Sequence, residues 1–215
     1  MDSGQKKVRR PDRRLERNRK ALMRAAQSLF AEKGFEQVTI DRIAESAELA
    51  KGTFYHYFED KDAIASEVAL ESRRSLELEV RAAQEGIEDP AQRLALGISV
   101  FLWSAVKEPA RAGIVAQMFS QWLRPEASGN EQLRKDLEDG YRNGRFTSGE
   151  LGAAVVMTVG LVQAGIQRAL AIRNATETRT LTLQLCALEL RGLGVAWNQA
   201  QSIAAKAVAQ VLTMD

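Results

Sequence analysis

The chain has one cysteine and one histidine among 215 residues, and that scarcity excludes a good deal of chemistry. Cys186 has no second cysteine with which to form an internal disulfide. Neither it nor His56 stands near a CxxC or HxxxH spacing, so no zinc site is expected, and no cofactor either. The first residues, MDSGQKKVRRPDRR, lack the apolar run of a secretory signal, which makes the cytoplasm the default location. There is no GxSxG elbow, no GxGxxG after a strand, and no alternating apolar run long enough to be a strand that could carry either; an enzyme is not expected. Only four prolines interrupt the chain.

What is present is the composition of a folded globular protein. Apolar residues make up 45% and charged residues 27%, enough to bury a substantial core and too balanced for wholesale disorder. The net charge is only +2, but it is unevenly spread. Residues 1 to 24 hold ten Lys and Arg against Asp2, Asp12 and Glu16, a balance of +7, so the other 191 residues sum to −5. Residues 1 to 16, with Pro11 and few apolar groups, read as a flexible basic arm. Such an arm attracts nucleic acid or an anionic membrane surface, or else merely keeps the protein soluble.

From Arg17 the pattern becomes helical. Leu22, Ala25, Ala26, Leu29 and Phe30 recur at i, i+3, i+4, i+7 and i+8, predicting a helix over about 17 to 33 that stops at Gly34. Thr39 can cap the next helix, about 40 to 47, with Asp41 against its dipole and Val38 and Ile43 spaced as a hydrophobic staple. A three-residue turn, Glu48-Leu49-Ala50, leads to a third helix over about 50 to 57. There Phe54, Tyr57 and Phe58 cluster on one side, while Gly52, Tyr55 and His56 turn the other way. After Lys61 the chain reads as six or seven helices, broken at Pro90 behind Asp89, at Pro109, over 125 to 130, at Thr147-Ser148 and over 174 to 178. Residues 151 to 167 carry no charge, but Gln163, Gln167 and Arg168 and the short length argue against a membrane span. A helix apolar on all sides is instead covered by other helices or by a partner chain.

Two helices joined by a three-residue turn, the second with small and polar groups outward, have the form of a DNA-binding helix-turn-helix or of a helical hairpin that only packs. For DNA, Gly52 permits close backbone approach, Lys51 supplies a cation, and Thr53, Tyr55 and His56 offer donors. Here the residues carry a resemblance. The segments AAQSLFAEKGFEQVTIDRIA and KGTFYHYFEDK, within residues 17 to 61, closely resemble the DNA-binding domain of the tetracycline-repressor (TetR) family. That resemblance implies an all-α protein: a three-helix domain over 17 to 61, then a larger helical domain over 62 to 215 that dimerises and binds ligand. It implies a homodimeric repressor that leaves a near-palindromic operator when a small molecule binds. Carried over by position, Thr39 touches phosphate, Lys51, Gly52 and Thr53 face bases, and Tyr55, His56, Tyr57 and Lys61 grip the DNA backbone. Two positions depart from the family pattern. Glu48 stands where glycine is usual, and Ala50 where a small hydroxyl or glycine is, so the turn is strained and the third helix uncapped.

In the second domain the resemblance implies a four-helix dimer interface, for which residues 148 to 173 and a helix from about 178 to 213, broken near Gly192 and Gly194, are the candidates. Gly152, Gly160, Ala164 and Gly165 permit close approach, and the stripe Leu181, Leu185, Leu188 suits either an interface or an internal core. For a ligand cavity the large middle-helix groups Phe101, Trp103, Met118, Phe119, Trp122 and Met157 are the candidates, or else ordinary core. Their apolar character favours a hydrophobic ligand. An architectural DNA-binding protein without a ligand switch is the competing function.

Overall fold

The structure is a computed structural model that describes residues 13–117, 122–127 and 129–214. The described residues form helices without strands, in two compact units, Met1–Val68 and Ala69–Asp215.

The first unit contains α1 (Arg13–Lys33), α2 (Ile40–Ser46), α3 (Lys51–Tyr55) and the start of α4 (Lys61–Ala83). Helix α1 begins four residues before the expected Arg17, so the last residues assigned to the arm are helical; residues 1–12 lie outside the described part. An exposed Glu16–Lys20 pair one turn apart supports that extra turn. Of the anticipated α1 stripe, Leu22, Ala25, Ala26 and Phe30 are buried and Leu29 is half-buried. They meet Val38, Ile43, Ala44, Phe54, Phe58 and Ile64, all buried, in one small core. Gly34 closes α1 at φ +77, a conformation that suits glycine, and its N–H reaches Phe30 O at 2.9 Å. Thr39 is the cap of α2: its Oγ1 accepts from Arg42 N at 3.3 Å.

The second unit holds the rest of α4 and then α5 (Pro90–Lys107), α6 (Pro109–Gln117), α7 (Glu131–Arg142), α8 (Leu151–Ile172), α9 (Ala175–Gly192) and α10 (Trp197–Val211). The breaks fall where the sequence puts them. Asp89 caps α5 by accepting from Ala91 N, with Pro90 in the first turn, and Asn174 caps α9 by accepting from Glu177 N. Helix α5 is the axis of this unit, packed by α6, α7, α8, α9 and α10. Its Leu94, Leu96, Ile98, Val100 and Leu102 are buried around most of its circumference. Gly165 of α8 makes room for that helix, since a Cβ there would stand 3.0 Å from the Leu102 side chain. The close approach anticipated at Gly165 is thus made to α5 of the same chain. The long C-terminal helix is split: Gly194 takes φ +94, and a Cβ would stand 2.2 Å from Thr147 Oγ1.

Helix α8 is the one described helix long and apolar enough to cross a membrane. Ala154, Val155, Val159, Val162, Ile166 and Ala169 on one face are buried, and α5, α6, α7 and α9 pack against the helix. Val156 and Met157, on the other face, are exposed, as is Leu188 of α9.

Glu48 sits at φ +55, in the left-handed region where a side chain strains the backbone. Glu48→Gly should therefore raise the free energy of unfolding by about 0.5–1 kcal/mol, the relief of strain exceeding the entropy that glycine adds to the unfolded chain. Urea denaturation checks this; a variant no more stable than the parent shows that the turn is relaxed.

Candidate nucleic-acid interface and interior cavity

Phe54 sets the presentation of α3. Fully buried, with the Phe58 ring at 5.7 Å, it anchors the short helix to the core, and the residues beside it must point away. Lys51, Gly52, Tyr55 and His56 are exposed; Thr53 and Tyr57 are half-buried. Tyr55 is 52% exposed, supported at its inner edge by the Phe54 ring, 5.5 Å away and nearly perpendicular. A Cβ on Gly52 would meet nothing within 4 Å, so no packing inside the chain demands glycine there. Ala50 caps α3 with no side-chain bond, leaving first-turn N–H groups for an outside partner.

Two site residues have partners that the sequence does not announce. Lys51 Nζ pairs with Asp41 at 2.9 Å, across the turn from α3 to α2, and the bond and the charge of Asp41 raise the lysine above its ordinary value. Lys61 Nζ donates to Phe35 O at 3.0 Å and lies 4.1 Å from the Phe35 ring centre, so its ammonium holds the loop after α1. Thr39 is exposed, and as its oxygen is the acceptor in the cap its hydroxyl proton stays available.

The second unit has a partly open cavity of about 80 Å³, against roughly 10–15 Å³ for one water. Of the four anticipated residues that the structure describes, only Phe101 lines it. Trp122 is buried behind the wall, with the Arg73 guanidinium carbon 4.5 Å from its ring centre. Trp103 is half-buried and Met157 exposed, and neither lines the cavity; Met118 and Phe119 lie outside the described residues. Much of the wall is aliphatic rather than aromatic or sulfur-bearing: Val80, Leu94, Ile98, Leu133, Val159 and Val162.

Its polar lining was missed entirely. Arg73 pairs with Glu77 at 2.8 Å, and Arg93 with Asp136 at 2.7 Å, while Gln84 and Gln132 donate to Asp136 at 3.0 Å. Burial lowers Arg73 and raises Glu77 from their ordinary values, each partly offset by the other. Charged residues in amphipathic helices normally face water, so only the spacing of Arg73 and Glu77, one turn apart, hinted at the pairing.

One buried acid lies just behind the cavity wall. Glu189 is 1% exposed and shares a hydrogen bond with Thr158, a cavity-wall residue; burial pushes its carboxyl up to about 7. The Thr158 hydroxyl has both Glu189 Oε1 and, at 2.9 Å, Ala154 O as acceptors, and its bond to the carboxyl offsets part of the upward push of burial.

The sequence profile of the bacterial regulatory proteins, tetR family, matches residues 22–68. Over 149 residues, 69% of this chain, the sequence is 32% identical to the HTH-type transcriptional regulator YdeS of Bacillus subtilis. The chain belongs to the TetR family. The match spans 65% of the Bacillus protein's own length. The HTH-type transcriptional repressor AcnR of Corynebacterium jeikeium is 26% identical, over 80% of this chain and 92% of that protein. A crystal structure of RolR with the ligand resorcinol superposes with a TM-score of 0.71 at 28% identity, covering 90% of this chain and 95% of that one. The two-part helical architecture is thus a TetR architecture, and the chain is a DNA-binding transcriptional regulator of the TetR family.

Glu189 gives this TetR protein a pH-dependent stability. Its folded value, about 7, lies above the ordinary 4.5, so the folded state holds a proton that the unfolded state releases between those values. Stability should fall as pH rises through that window, by roughly 3 kcal/mol at most, and level off above it. Glu189→Gln keeps a hydrogen-bonding partner for Thr158 and should flatten the decline. Urea denaturation at pH 5 and pH 8, at fixed protein concentration, tests this; parallel curves for parent and variant refute it.

Proposed function

We propose that the protein is a repressor that binds a near-palindromic operator as a homodimer and is released when a small, largely apolar compound occupies the cavity of the second unit. The observation that carries the DNA half is the exposed row Lys51, Gly52, Tyr55, His56 held over a buried Phe54. A glycine that no internal packing requires is what a helix needs to bring its backbone against a groove. Lys51, Gly52 and Thr53 face bases in this assignment, with Thr39, Tyr55, His56 and Tyr57 on phosphates. Lys61 can join them only by leaving Phe35. The basic residues of the N-terminal arm add phosphate contacts, and the cytoplasm is where such a regulator meets its operator.

The homodimer is supported by the apolar outer face of α8 and α9, where Val156, Met157 and Leu188 are exposed at 44%, 38% and 56%. The ligand half is supported by the apolar-walled cavity and by the kinship with RolR, whose structure is described with resorcinol.

Selection of sequences bound by the full chain from a random DNA pool tests the reading. The expected outcome is an inverted repeat with half-sites about one helical turn, roughly 10 base pairs, apart. Binding without sequence preference would favour an architectural role. Lys51→Ala and Tyr55→Ala should each leave the fold intact and weaken operator binding by about ten- to a hundredfold. Unchanged affinity in both removes the recognition-helix assignment. The double variant Met157→Asp, Leu188→Asp should sediment as a folded monomer at micromolar concentration where the parent sediments as a dimer. A parent that is itself monomeric there rejects the homodimer.

A further inference from the structure

Five residues of α5 line the cavity, Arg93, Leu94, Gly97, Ile98 and Phe101, and their intervals of three and four put them on one stripe of the helix with Gly97 at its middle. Leu96 and Ile98, on either side in sequence, are 0% and 1% exposed, whereas Gly97 is only half-buried and keeps accessible surface. The direction a side chain would take there is fixed. Its Cβ would meet one atom among the described residues, Val80 Cγ1 at 3.6 Å, and Val80 belongs to the same wall.

Glycine in a helix interior is disfavoured against alanine, so its presence needs a reason. Two ordinary reasons fail. Gly97 is not among the residues at positive φ. Nor does it serve close helix approach: a Cβ at Gly165 would stand 3.0 Å from Leu102, but 3.6 Å from Val80 is normal van der Waals contact. Helix α4, which carries Val80, is also not one of the helices packed most closely on α5. What the glycine leaves is room in the cavity. In a volume of about 80 Å³, one more methyl group on the wall is felt by whatever fills it. The surface around Gly97 is apolar, with Val80, Leu94, Ile98 and Phe101, and a peptide in mid-helix spends its polar groups on the helix, so the part of an occupant that rests there is apolar too.

We propose that Gly97 selects the cavity's occupant by size: a compound of about one ring lays an apolar edge on the bare α5 backbone, in the space that a side chain at this position would fill. This rests on the cavity being the effector site and adds the residue that limits which effectors fit.

Benzene is the probe, an apolar ring of the kind that dry protein cavities accept, titrated by calorimetry into the full chain without DNA. The parent should bind it at millimolar concentration, and Gly97→Ala should weaken binding at least about tenfold. Without the probe, the melting temperature of Gly97→Ala should be no lower than the parent's, because the helix loses an unfavourable residue. Gly97→Ala with Val80→Ala returns the lost room from the other side of the wall and should bring the affinity back to within about threefold of the parent. A parent that does not bind benzene, equal affinities of parent and Gly97→Ala, or a folded double variant that binds no better than Gly97→Ala overturns the proposal. So does a lower melting temperature for Gly97→Ala, which would assign the glycine to packing. Should the double variant unfold, the single variant's affinity and melting temperature decide. Binding that depends on Gly97 yet leaves operator affinity unchanged counts against ligand release and not against this assignment.

Discussion

The second unit depends on enclosing α5. A helix that buries Leu94, Leu96, Ile98, Val100 and Leu102 cannot rest on one neighbour, because those side chains project over most of its circumference. Five helices surround it as a result. Gly165 follows from the same demand, since a side chain there would push α8 off Leu102. With one face of α8 spent on α5, the apolar residues Val156 and Met157 on its opposite face stay exposed among the described residues.

The cavity has the converse origin. Beside its buried apolar residues Ala69, Leu76, Val80 and Ala83, helix α4 meets its neighbours through long polar side chains: Arg73 to Gly129 and Asn130, Gln84 to Asp136, and Arg111 of α6 to Ser75 and Glu79. Such struts hold helices apart where aliphatic residues would draw them together, and the space beside Val80 remains open. Each strut is buried or half-buried and paired, so removing one partner would strand the other. The open space is therefore bordered by a frame of paired polar and charged side chains.

Local signals were legible in the sequence. Thr39, Asp89 with Pro90, and Gly34 announce helix ends because a cap or a left-handed turn is a property of two or three adjacent residues. The strained Glu48 and the uncapped Ala50 were legible for the same reason, as departures from a known pattern. What the sequence did not disclose joins distant residues. The Arg73 bond to Asn130 spans 57 positions, and no periodicity marks Arg93 and Asp136 as wall rather than surface. Bulk in the sequence points to Phe101 but not to the polar lining, because buried ion pairs and solvated ones are the same residue types. The early start of α1 escaped since its extra turn is held by charge pairing rather than by an apolar stripe.

The Lys51–Asp41 pair bears on how the helix-turn-helix meets DNA. Both side chains stay more than half exposed, so the attraction is screened and contributes little to the fold. Its effect is orientation: it holds the ammonium back toward the start of α2, where Asp41 also favours the helix dipole. In the proposed docking, a phosphate or a base edge that takes the ammonium would leave Asp41 near the DNA as an unpaired negative charge. Repulsion between Asp41 and phosphate then opposes every loosely docked complex, where Lys51 gains only a diffuse attraction. It is outweighed only where Lys51 finds a bond of defined geometry. A lysine free of Asp41 would add the same attraction to any duplex. Under the proposed assignment of Lys51 to bases, the carboxylate across the turn would subtract from non-specific binding more than from specific binding, and the contrast between the two is what a regulator searching a genome requires.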